Sequence, residues 1–163
     1  MKLIQTILHP TDFSESAQHA FRLACSLARD HAARLVVMHV TPLQYPFVGE
    51  MIAVPPFDPT DGDAERERLL EKLEEMKPTY GGFPVEYRLE EGEAVERILA
   101  VAADVDAGLI VVGTHGRTGL KRLLMGSVAE HLVREAPCSV LAVKAPTAAH
   151  FAEMPREAVV QHS

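Results

Sequence analysis

Leu109-Ile-Val-Val-Gly113-Thr-His-Gly116-Arg117-Thr-Gly-Leu-Lys121-Arg122-Leu-Leu-Met-Gly126-Ser127 decides the reading of this chain. An unbroken apolar run opens it, a glycine-rich stretch follows, and a helical pattern begins at its end. A glycine-rich loop that leaves a buried strand and feeds a helix N-terminus is a natural anion cradle. Backbone N–H groups converge there and the helix dipole adds positive potential. The loop carries Arg117, Lys121 and Arg122 and no acid, within a chain of net charge -7. Negative charge is drawn to one place, and phosphate is the group that fits it first.

Working outward, apolar strands alternate with amphipathic helices. Leu3–Leu8 reads as a first strand that His9-Pro10 stops. A helix follows, with Asp12 or Ser14 as its cap, and Ala17, Ala20, Phe21, Ala24, Cys25 and Ala28 trace one face of it. Arg34–Val40 is a second strand, apolar enough to be covered on both faces. From Thr41 to about Gly62 the chain is proline-rich and reads as a long loop. A charged helix runs from Ala64 to about Lys77, and Val85–Leu89 alternates like an edge strand. Val95, Ile98, Leu99 and Ala102 mark a third helix, and Leu109–Val112 is the fourth strand. A fourth helix spans Ser127 to Ala136, with Val128, Leu132 and Val133 inward. Ser139–Val143 is the fifth strand, and Lys144–Ser163 reads as a tail. Strands alternating with helices imply a parallel sheet with right-handed crossovers, an α/β fold.

With 163 residues the chain is long enough for one domain with a substantial core. The acidic balance argues against nucleic acid as a partner. No apolar run approaches the roughly 20 residues that span a bilayer. Cys25 and Cys138 have no metal-ligand spacing, so a reducing, cytoplasmic setting is expected.

The spacing Gly113-x2-Gly116-x9-Gly126-Ser127 resembles the nucleotide-binding signature of the universal stress protein family. Ile7-Leu-His-Pro-Thr-Asp-Phe-Ser14, Ile110–Gly116 and Ala136–Val143 resemble other segments of that family. The likeness runs from Met1 to Lys144, which sets the expected domain at 1–144 with a tail at 145–163. It implies a Rossmann-like, adenine nucleotide alpha hydrolase-like domain: an open five-stranded parallel sheet in the order 3-2-1-4-5, with helices on both faces. Strands 1 and 4 then flank the switch point where such sheets bind ligands. The resemblance further implies that Pro10, Thr11 and Asp12 meet the nucleoside and that the Val40 backbone meets the adenine. Gly113, Thr114, His115, Gly116, Arg117, Gly126, Ser127 and Val128 would then surround the ribose and phosphates. The implied ligand is ATP or AMP, with or without Mg2+. Pairing of two copies along Ser139, Val140, Leu141, Ala142 and Val143 is also implied.

Each of these positions has a plainer reading. Gly113 and Gly116 are also ordinary turn glycines, used for their freedom at positive φ. Ser127 also serves as a helix cap, as does Asp12. Arg117, Lys121 and Arg122 are also solvated loop charges, of which one at most is expected to meet the ligand. The histidines lack metal spacing, and of them His115 alone lies where it would touch a nucleotide. The acids between Asp58 and Glu75 suit a solvated helix start better than a metal. No Walker lysine is present and no residue is assignable to activate water. The expected protein is therefore an adenine-nucleotide-binding regulator or sensor in stress response with little or no hydrolysis. The alternatives are a slow ATP hydrolase and a partner-binding adaptor whose nucleotide site is idle.

Overall fold

A computed structural model describes residues 4–43, 59–79, 81–114 and 125–145. The elements alternate as the periodicity predicts: β1 Thr6–Pro10, α1 Glu15–His31, β2 Arg34–Thr41, α2 Pro59–Glu74, β3 Val85–Glu91, α3 Ala94–Asp104, β4 Leu109–Gly113, α4 Ser127–Glu135 and β5 Ser139–Val143. All four strand pairings are parallel and the order is β3-β2-β1-β4-β5. The switch point therefore falls between β1 and β4.

The two sheet faces carry separate cores, as alternation along a strand requires. Ile7, Leu35, Val37 and Val111 pack under α1 and α2 with Ala20, Phe21, Ala24 and Leu73. Leu8, Val36, Met38, Ile110 and Val112 pack under α3 and α4 with Ile98, Val101, Ala129 and Leu132. The alanines of α1 let its backbone come close to the sheet. β1 is buried along its whole length, as is the centre of β2.

Three differences from the sequence reading have a clear physical cause. β1 continues through His9 to Pro10, because a proline is tolerated where its position needs no N–H. The next amide, Thr11, resumes bonding to the Met38 carbonyl at 2.8 Å. α2 begins at Pro59, inside the stretch read as loop, because proline is pre-set for the first position of a helix. On α4 it is Ala129 and Leu132 that are buried, whereas Val133 is 51% exposed and faces outward. The rest of the proline-rich segment, 44–58, and the tail from 146 lie outside the described residues, as do His115, Gly116, Arg117, Lys121 and Arg122.

Candidate functional site

The C-terminal ends of β1, β2 and β4 open into a cavity of about 300 Å3. It lies within the usual range for small-molecule sites. Pro10, Thr11, Asp12, Val40, Gly113, Thr114, Gly126, Ser127 and Val128 all line it. These residues come from four short runs of the chain, and the strand order with the packing of α4 brings them together. They are also every described residue that the sequence reading assigns to the site.

The loop after β1 is held by its own short side chains. The Thr11 Oγ1 accepts from the Phe13 amide at 3.0 Å, and the Asp12 Oδ1 accepts from the Ser14 amide at 3.0 Å. Ser14 caps α1 by accepting from the Ala17 amide at 3.2 Å. Asp12 is thus a turn residue ahead of the cap, and it lines the cavity. Phe13 has φ 63, a backbone region that costs a non-glycine residue roughly 1–2 kcal/mol. The ring lies between His39, centroid to centroid 4.6 Å, and the Lys72 ammonium, 4.2 Å from its centre. His39 also donates from Nδ1 to the Thr11 carbonyl at 2.7 Å, so the loop bearing Asp12 is fastened from two sides.

The other wall comes from β4 and α4. The Thr114 amide donates to the Val143 carbonyl at 2.9 Å, and the Gly126 amide donates to the Thr114 carbonyl at 2.7 Å. The chain therefore leaves and re-enters the site at one point. Gly126, not Ser127, is the N-cap of α4, and as a glycine it offers no side chain to cap the first amides of that helix. Ser127 is the first helical residue, the position in a helix where unpaired N–H groups favour an anion. Gly113 does not use positive φ. It is a glycine because α1 passes across it: a Cβ would lie 2.6 Å from the Ser16 Oγ and 2.8 Å from the Ser16 carbonyl carbon.

Between these walls the floor is apolar, formed by Met38, Val40, Ile98 and Val112 with Ala94 and Ala129. A flat heteroaromatic ring fits such a floor, with polar groups at its rim for a sugar and an anion. Sequence reasoning missed Ala17, Met38, His39, Ala94, Ile98, Val112 and Ala129. The apolar ones keep the same periodicity as core residues, so only the packing of β2, β4, α1, α3 and α4 around the crevice shows that they reach the cavity. Among the described residues no cluster of His, Cys, Asp or Glu is arranged to hold a metal ion. Nor is any helix among them long and apolar enough to cross a membrane.

Residues 4–144 match the model of the universal stress protein family. A universal stress protein of Methanocaldococcus jannaschii is 33% identical over 153 residues, covering 88% of this chain and 84% of the relative. Among solved structures, a universal stress protein family member from Burkholderia pseudomallei is 33% identical with a TM-score of 0.61, covering 89% of this chain and 99% of that one. A universal stress protein from Archaeoglobus fulgidus, solved in complex with dAMP, has a TM-score of 0.56 at 21% identity, covering 88% of this chain and all of that one (100%). At that identity the likeness speaks for the fold.

Proposed function

The chain belongs to the universal stress protein family, and from that premise we propose that its crevice holds an adenine nucleotide, ATP or AMP. The observation that carries this is the convergence of four runs of the chain on one cavity with an apolar floor at one end and the N-terminus of α4 at the other. Adenine lies on the floor beside Val40, Asp12 binds the ribose hydroxyls, and the phosphates sit at Gly126, Ser127 and Val128. Any Mg2+ arrives with the phosphates, since the described residues offer no ligand cluster of their own.

The site binds and does not turn over quickly. Among the described residues its titratable lining groups are Asp12 and His39. Asp12 has one oxygen in a turn, and His39 gives its Nδ1 hydrogen to Thr11. Neither is arranged to activate water. The protein therefore acts as a nucleotide-responsive regulator in the cytoplasm, in stress response.

Thermal melting tests this. ATP or AMP at about 100 times Kd adds roughly 2.7 kcal/mol and raises Tm by several degrees, with GTP giving less. No shift with any adenine nucleotide refutes the reading. Ser127→Ala should weaken ATP about threefold to tenfold, the worth of one hydrogen bond to a charged group. It should leave the ligand-free Tm nearly unchanged, because Ser127 does not cap α4.

We also propose that two copies pair along β5. It is the outer strand next to β4, with Leu141 37% exposed, and nearby Val133 is also apolar and exposed. An uncharged apolar edge of this kind invites a second strand. Leu141→Lys should convert a dimer into a monomer in sedimentation at micromolar concentration. A wild-type protein that sediments as a monomer refutes the pairing.

A further inference from the structure

β1 and β4 carry the two halves of the crevice, yet they are paired only through Ile7 with Leu109 and Leu8 with Ile110. On its other side β1 is paired with β2 all the way to Pro10 and Met38. The β1–β4 seam therefore stops short of the site, and Pro10 has no N–H with which to extend it. At that point the side chain of His9 crosses the seam. Its Nδ1 lies 2.8 Å from the Val111 carbonyl, which only accepts, so the ring carries its hydrogen on Nδ1. The imidazole is wholly buried under α1, with the Phe21 ring 5.7 Å away. Its Nε2 has no hydrogen-bond partner among the described residues.

That bare nitrogen argues against a packing role. A leucine or phenylalanine fills such a space without burying an unpaired acceptor. What the imidazole offers and a hydrocarbon does not is the bond to Val111. Immediately beyond the bond lie Thr11 and Asp12 on one strand and Gly113 and Thr114 on the other. We infer that His9 is a positioning residue of the crevice: its Nδ1–H bond to Val111 replaces the missing backbone rung and sets the spacing of the two strand ends that grip the ligand. This rests on the nucleotide reading above only for what the ligand is.

Three variants separate the bond from the packing. His9→Asn puts an amide N–H about where Nδ1 stands, His9→Gln puts one near Nε2, and His9→Leu has none. The first readout needs no ligand: amide hydrogen exchange at Thr11, Thr114 and Gly126, each hydrogen-bonded at the crevice. Exchange should quicken about tenfold or more in the Leu and Gln variants and stay within about threefold of wild type in the Asn variant. ATP affinity, measured by calorimetry well below Tm, should fall in the same order. Equal exchange in all four proteins, or an Asn variant as fast as Leu, overturns the inference, and so does ATP binding equally to all four. If wild type fails to bind ATP while the exchange order holds, the nucleotide reading falls and the strut between β1 and β4 stands.

Discussion

Acidification from pH 7 to about 4.5 should cost this fold about 2–3 kcal/mol through one residue, His9. Burial holds its pKa down at about 4, against an ordinary value of 6.5, and the Val111 carbonyl and the Asp12 carboxylate only partly offset that. The unfolded chain takes up the proton first. The contribution of His9 is therefore complete above about pH 6.5 and is lost progressively as the pH falls toward 4, below which it stops changing. At about 1.4 kcal/mol per pH unit the full loss is about 3 kcal/mol. A typical domain has only about 5–15 kcal/mol in all. The physical cause is burial: a protonated ring loses its hydration there, and among the described residues no acceptor faces Nε2. Urea unfolding at pH 7, 5.5 and 4.5 checks the slope. His9→Asn, which cannot take up a proton in this range, should flatten it by about 2–3 kcal/mol across the window. Equal pH slopes in the two proteins would exclude His9 as the source.

The same residue shows where sequence reading reaches its limit. The pattern places His9 at a strand end, which is correct, but its partner lies across the sheet in β4. No local signal names Val111. By contrast β5 is legible to the residue, because an apolar run between Pro137 and a tail without periodicity has one reading. The strand order came from the family resemblance, and alternation gave only the α/β class. Where local signals compete, the reading drifts. Five prolines mask the start of α2, although the last of them, Pro59, is itself a good first helical residue. On α4 the larger Val133 looks like the inward residue. The sheet instead takes Ala129, since a small side chain permits close approach and Val133 falls at the exposed edge. Ser127 looks like a cap because serine so often is one, yet Gly126 occupies that position and leaves the hydroxyl for other use. Each of these differences is a matter of which neighbour a residue meets, and that is decided by the tertiary arrangement.

Gly113→Ala should damage the fold and the site together. The position has no positive φ, so backbone strain is not the reason. The added methyl would stand 2.6 Å from the Ser16 Oγ, 2.8 Å from the Ser16 carbonyl carbon and 3.0 Å from the Ala17 nitrogen. The hydroxyl could rotate away, but the other two atoms are backbone in the first turn of α1, and they move only if the helix moves. Overpacking of this kind costs about 1–3 kcal/mol, and contact with helix backbone puts it at the upper end. The consequence for binding follows from the same geometry. Ser16 and Ala17 lie directly after the Asp12–Ser14 turn, so a helix pushed off β4 carries Asp12 away from Thr114 and widens the crevice. ATP affinity should fall at least tenfold even at temperatures where the variant is fully folded, because a ligand gripped from two strands loses one of its walls. Equilibrium unfolding and calorimetry on the same preparation read both effects. If affinity is kept while stability drops, the helix yields without disturbing the turn, and Gly113 serves packing alone. If both are unchanged, the close approach of α1 to β4 is wrong, and with it the account of why this first glycine of the loop is a glycine.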